Sequence, residues 1–177
     1  MQEVILVDEQ DQETGRMEKL KAHQLGLLHR AFSIFIFNDQ NEWLLQRRAM
    51  HKYHSGGLWT NACCSHPAPG EKVLKSASNR LFEEMGFRAP LYAHSALSYH
   101  ARLANGLIEY EFDHILLGSY NGEVKPNPDE VMDYKWVSYT ELQQDVVQHP
   151  EAFTVWFLKI YQSTTLERLD KDNVRNT

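Results

Sequence analysis

Glu109-Tyr110-Glu111 sets two carboxylates two residues apart inside an apolar run, Leu107 to Leu117. On an extended strand, residues i and i+2 point to one face, so the two carboxylates share it. Like charges so close are mutually unfavourable unless a cation, a proton or water relieves them. The competing reading is the solvated outer face of an edge strand. Three histidines weigh towards a cation. His23 and His29 flank the start of the run Ala31 to Phe37, and His66 ends Cys63-Cys64-Ser65-His66. Three imidazoles and two carboxylates make a five-ligand nitrogen and oxygen set, which suits octahedral Mn²⁺ or Mg²⁺ better than a closed tetrahedral zinc site. The other six, His51, His54, His94, His100, His114 and His149, are read as surface or hydrogen-bonded residues.

Cys63 and Cys64 are adjacent, so a bridge between them would close almost no loop. On a short strand they face opposite sides, and only one thiol can enter a given pocket. A basic subset drawn from Lys19, Lys21, Arg30, Arg47, Arg48, Lys52 and Arg80 would clamp a diphosphate if it converged, with arginine binding phosphate bidentately and lysine acting as a point charge. Scattered solvated side chains are the alternative. Arg80 and Glu84 are four residues apart and read as a helix-surface ion pair. Beside a phosphate site, Glu84 would instead be a Mg²⁺ ligand.

The elements that must position these groups follow from periodicity. Strands are predicted at Val4 to Val7, Ala31 to Phe37, Trp43 to Gln46, Leu91 to Tyr99, Leu107 to Leu117 and Tyr134 to Val137. Asn38-Asp39-Gln40-Asn41 marks a turn, and Asn105-Gly106 marks a two-residue hairpin. Helical spacing of Val73, Ala77, Leu81 and Met85 predicts a helix from about Lys72 to Met85, ended by Gly86. Ser138-Tyr139-Thr140-Glu141 reads as a capping box for a helix that Pro150 closes. Phe153 to Leu169 is apolar at helical spacing, and the polar tail after it frays. Strands and helices interleave without a regular βαβ alternation, so the expectation is one α+β domain over residues 1–177, with a mixed or antiparallel sheet flanked by helices.

With 177 residues and 42% hydrophobic content the chain can build a core, which excludes disorder and small disulfide scaffolds. Its 18 Lys plus Arg against 24 Asp plus Glu give a net charge of −6, the wrong sign for a general nucleic-acid or anionic-membrane binder. No run approaches the length of a membrane span. A cytoplasmic monomer acting on a small molecule, with reduced thiols, is the expectation.

Three motifs in this order, Gly26-Leu27-Leu28-His29-Arg30-Ala31-Phe32-Ser33, Thr60-Asn61-Ala62-Cys63-Cys64-Ser65-His66-Pro67 and Glu109-Tyr110-Glu111, with the helix between the last two, resemble the type I isopentenyl diphosphate isomerases, a family on the Nudix fold. The resemblance implies that His23, His29, His66, Glu109 and Glu111 hold one Mn²⁺ or Mg²⁺, and that Glu84 helps to hold a Mg²⁺ on the substrate diphosphate. It implies diphosphate contacts from Lys19, Arg48, Lys52 and Arg80. Cys64, Tyr99 and Glu111 match the catalytic residues, and Trp156 matches the aromatic facing the isoprenoid carbons. The implied reaction interconverts isopentenyl and dimethylallyl diphosphate in isoprenoid biosynthesis. A carbocation forms when Glu111 and Tyr99 add a proton, and Cys64 removes one from the opposite face. A Nudix hydrolase of nucleoside diphosphate derivatives and a silent Nudix-fold sensor are the alternatives. Asn79-Arg80-Leu81-Phe82-Glu83-Glu84 departs from the hydrolytic pattern, with arginine where that pattern has a carboxylate.

Overall fold

The computed structural model describes residues 3–103 and 105–163. Among them are nine strands: β1 (Glu3–Val7), β2 (Glu13–Glu18), β3 (His29–Phe37), β4 (Trp43–Arg48), β5 (Trp59–Thr60), β6 (Cys63–Ser65), β7 (Leu91–Arg102), β8 (Ile108–Ser119) and β9 (Val131–Val137). The helices are α1 (Lys19–Leu25), α2 (Val73–Met85), α3 (Tyr139–Gln148) and α4 (Val155–Gln162), with a 3₁₀ turn at Pro150–Ala152. All the strands join one mixed sheet: β3 runs parallel to β8, and the other pairs are antiparallel.

Alternation along β3 divides the core into two layers. Phe32, Ile34 and Ile36 pack on one face against Ala77, Leu81 and Met85 of α2. Phe35 and Phe37 face the other way and join Ile115, Leu117, Leu142, Trp156, Phe157 and Ile160 under α3 and α4. The same alternation divides the cysteines. Cys63 is fully buried on the α2 side, whereas Cys64 packs against the α4 side.

The predicted strands are present, extended by one to three residues at several ends. α2 begins after Lys72, and Gly86 ends it at φ 75°, where a side chain would collide with the Lys125 carbonyl. Ser138 and Glu141 form the reciprocal capping box. In the β7–β8 hairpin, Leu103 N–H still bonds the Leu107 carbonyl, so the loop is one residue longer than the expected two. α4 starts at Val155, two residues later than expected, because Pro150–Ala152 turns separately and Thr154 supplies the cap. The predicted continuation of this helix to Leu169 and the tail lie outside the described residues.

β2 and α1 were not anticipated. β2 is an edge strand with no fully buried residue, so it lacks an apolar alternation. α1 has only seven residues and an unusual cap, since the Glu18 carboxylate accepts from the N–H groups of Leu20 and Lys21 at 2.9 and 2.8 Å. This short helix positions Lys19 and His23.

Candidate active site and metal centre

Glu111 of β8 sits between two partners in register, His29 on β3 and Tyr99 on β7. Tyr99 Oη donates to Glu111 Oε2 at 2.6 Å. Glu111 Oε1 lies 2.8 Å from His66 Nε2 and 3.6 Å from His29 Nε2. His66 arrives from just beyond β6, and His23 comes from α1.

Backbone carbonyls fix two of the imidazoles. His23 Nδ1 donates to the Lys19 carbonyl and His29 Nδ1 to the Leu27 carbonyl, each at 2.7 Å. Carbonyls only accept, so these Nδ1 atoms carry the protons and each Nε2 presents a lone pair. His23 Nε2 is buried without a hydrogen-bond partner, and His29 Nε2 lies 3.2 Å from His66 Nε2. Single ligand atoms of His23, His29, His66 and Glu111 all lie within 4.8 Å of one another. Converging lone pairs and a carboxylate away from water require a positive centre, and this donor set fits a divalent cation. Glu109 stands beside the group, its Oε2 3.5 Å from His23 Nε2. Glu84 is not in it. Arg80 binds Glu84 Oε1 at 2.8 Å, and the Gln46 amide donates to Glu84 Oε2 at 2.9 Å.

The charge states follow from this geometry. Burial alone would raise Glu111, but the His29 and His66 imidazoles beside it outweigh burial and hold the carboxyl well below the usual range. Glu109 is pushed up to about 7 by burial and by the Glu111 charge. Burial, with the Lys19 charge, drives His66 down to about 3, leaving the imidazole neutral. Burial opposes charging of His23 too, but Glu109 overrides it and lifts His23 above its ordinary value. Protons on His23 and Glu109 therefore compete with a cation at neutral pH, and metal binding releases them. Titrating Mn²⁺ into the metal-free protein at about pH 6 and about pH 8 is expected to show at least tenfold weaker binding at the lower value. Equal affinity at both would contradict these proton positions.

Next to this group lies a cavity of about 50 Å³, lined by Cys64, Tyr99, Glu109, Glu111, Trp156, Lys19 and Arg48, together with His23, Tyr53, His54, Ser65 and His66. The structure thus brings the thiol, the tyrosine, the carboxylates and the aromatic to one place. Trp156 is both a core residue, 4% exposed, and part of the cavity lining. The Cys64 thiol is pushed up to about 12 by burial and by the nearby Asp113 charge, so at neutral pH it keeps its proton. Burial, with the Glu111 charge, likewise raises Tyr99 well above the ordinary phenol.

The basic residues do not all converge. Lys19 and Arg48 line the cavity, and Arg48 lies 5.1 Å over the Trp156 ring with its Nε buried and unpartnered. Lys52 and Arg80 stand outside its lining, both bound to Glu130, with Arg80 also on Glu83 and Glu84. Of the remaining basic residues, Arg30 clamps Asp11 at 2.7 Å, and Arg47 lies 5.9 Å over Trp59.

Sequence reasoning missed three contributors. His54, read as a default histidine, forms a cavity wall with its Nε2 3.6 Å from Glu109 Oε1; burial and the charges of Arg48 and Lys19 hold it neutral, down to about 3. Asp113 continues the Glu109, Glu111 alternation as a fully buried third carboxylate that accepts from Ser33 Oγ at 2.8 Å. That i+2 spacing was a readable signal. Glu130, which holds Lys52 and Arg80, gave none.

The NUDIX domain family model matches residues 27–157. The chain is 52% identical over 155 residues, 88% of this chain and 87% of the relative, to the isopentenyl-diphosphate Delta-isomerase of Pectobacterium atrosepticum. It is 48% identical to isopentenyl-diphosphate Delta-isomerase 2 of Photorhabdus laumondii, covering 95% of both chains. Among solved structures, the MutT protein from Methanosarcina mazei matches with a TM-score of 0.64 at 16% identity, over 81% of this chain and 96% of that one, a likeness of fold alone. Agreement with both isomerases across nearly the whole length, on a NUDIX domain, places this chain in the isopentenyl-diphosphate Delta-isomerase family.

Proposed function

We propose that the protein, acting as a single domain, interconverts isopentenyl diphosphate and dimethylallyl diphosphate by a 1,3-allylic proton shift. The observation that carries this reading is the placement of Cys64 and the Tyr99–Glu111 pair in the lining of one small cavity beside a group of side chains that could hold a cation. Protonating an unactivated alkene yields a tertiary carbocation. The cavity must therefore supply a donor on one face, an acceptor on the other and little water to trap the cation.

Glu111 with Tyr99 serves the terminal carbon, and Cys64 serves the carbon two bonds away. The unliganded protein rests with a proton on sulfur and the charge on Glu111. That is the state in which the thiol donates and the carboxylate accepts. The opposite assignment, expected from the family, starts from the tautomer with this proton moved across, and reversibility requires both. His23, His29, His66 and Glu111, with Glu109 alongside, would hold Mn²⁺ or Mg²⁺, whose charge would lower the proton affinity of Glu111. Trp156 stabilises the cation through its π face, by about 2 kcal/mol once desolvated.

Lys19 and Arg48, whose Nε lacks a partner, receive the diphosphate. Arg80 would join them by giving up its contacts to Glu84 and Glu130, and Glu84 would then help to hold a Mg²⁺ on the diphosphate. Arg80→Ala is accordingly expected to raise KM roughly tenfold to a hundredfold, the loss of one charge-assisted contact, with a smaller effect on kcat. An unchanged KM would remove Arg80 from the clamp. The reaction itself is tested by following isopentenyl diphosphate with the metal-loaded protein in D₂O by proton NMR. Dimethylallyl product carrying deuterium in a methyl group is expected, and an unchanged spectrum overturns the reading.

A further inference from the structure

Behind the cavity lies a buried chain of hydrogen bonds that the proposed reaction leaves unassigned. Trp156 Nε1 donates to Thr60 Oγ1 at 2.9 Å, and Thr154 Oγ1 donates to the same oxygen at 3.1 Å. Thr60 Oγ1 donates to Asn61 Oδ1 at 2.9 Å, and Cys64 Sγ donates to that oxygen at 2.9 Å. Thr60, Asn61 and Thr154 are each at most 1% exposed.

The direction of this chain is forced. Asn61 Nδ2 bonds the Ile34 and Cys63 carbonyls, each at 3.0 Å, so the amide cannot flip without orphaning two buried carbonyls. Its oxygen must then face Thr60 and Cys64, and an amide oxygen only accepts. An indole N–H only donates, so Thr60 must turn its own proton elsewhere, towards Asn61. Thr154 is fixed in turn, because its hydroxyl caps α4 by accepting from Phe157 N–H at 3.4 Å. One amide and one hydroxyl thereby set both the direction of the Cys64 S–H and the plane of the Trp156 indole.

We propose that Thr60 and Asn61 act as a paired positioning device for the reaction, locking the Cys64 thiol and the Trp156 ring in fixed relation across the cavity. This inference rests on the isomerase reading for its kinetic consequence, but its geometry is testable without turnover. In the wild-type protein, the infrared S–H band that disappears in Cys64→Ala is expected at the lowered frequency of a thiol donating to an amide oxygen. In Thr60→Val, which keeps the side-chain shape and removes the hydroxyl, the Trp156 Nε1–H resonance is expected to shift. There kcat should fall about tenfold, the scale of one buried hydrogen bond, with KM little changed, and Thr60→Ser should restore both readouts.

Asn61 is left unsubstituted because its amide also holds β3 and β6 carbonyls. A free-thiol S–H frequency in the wild type, or a Thr60→Val protein with unaltered indole resonance and kcat, overturns the proposal. So does a Thr60→Ser variant no better than Thr60→Val. If the wild type turns over neither diphosphate, the isomerase reading fails, while the infrared and indole measurements still decide the positioning.

Discussion

Cys64→Ala is expected to lower turnover by about 10²–10⁴-fold, the usual contribution of a positioned proton-transfer group, while metal and diphosphate affinities stay within about threefold. The thiol lies in the cavity lining on the α4 side of the sheet, and no metal-group atom depends on it. Its hydrogen bonds run to Asn61 and Ser33, whose backbones are held by strand pairing and buried amide contacts. Removing sulfur therefore takes away the proposed proton carrier without dismantling a wall. Cys63→Ala provides the contrast. That thiol is buried among Phe32, Ile34 and Leu81, so its loss costs packing and leaves kcat near the wild-type value. Steady-state kinetics on both variants checks this, and comparable kcat losses in the two would break the assignment to Cys64.

Glu111→Gln is expected to have the larger effect of the two. The amide keeps the shape but loses the charge that holds three partners: His66 at 2.8 Å, His29 at 3.6 Å and the Tyr99 hydroxyl at 2.6 Å. The proposed cation ligand and proton acceptor disappear together. Turnover is expected to fall by more than about 10³-fold and Mn²⁺ affinity by at least tenfold, whereas Tyr99→Phe, which leaves the carboxylate in place, should spare the metal. Calorimetric Mn²⁺ titration alongside kinetics separates the two variants. Wild-type metal affinity in Glu111→Gln would remove Glu111 from the metal group.

Part of this site was legible in the sequence through short-range periodicity, whereas the roles of Cys64, Tyr99 and Trp156 came from the family resemblance. The i+2 rule put Glu109 and Glu111 on one face, and the same rule separated Cys63 from Cys64; both follow from the pleat of β8 and β6. Capping chemistry located α2 and α3 because Gly86 and Ser138 act within a single turn. What escaped depends on contacts distant in sequence. α1 is stabilised by Glu18 and by docking on β8, and seven residues carry too little periodicity to announce it. His54 is a cavity wall only because its loop folds onto Trp156, 5.5 Å between ring centres. The basic residues showed a possible clamp but not that Glu130, reached through the β4–β9 edge, would hold Lys52 and Arg80 apart from Lys19 and Arg48. Spacing reports which face a side chain shares; it does not report which counter-charge is waiting there.

The central claim is that proton addition and proton removal occur on opposite sides of one hydrocarbon slot. It is tested most directly by letting the metal-loaded enzyme bring isopentenyl diphosphate to equilibrium in D₂O and assigning the deuterium by NMR. With Cys64 and Glu111 assigned to opposite faces of the substrate, deuterium should enter only one of the two hydrogen positions on the methylene carbon next to the double bond in the recovered isopentenyl diphosphate. Equal deuterium in both positions would mean that a single mobile base, or bulk water, serves both faces, and the account given for Cys64 and Glu111 would be wrong.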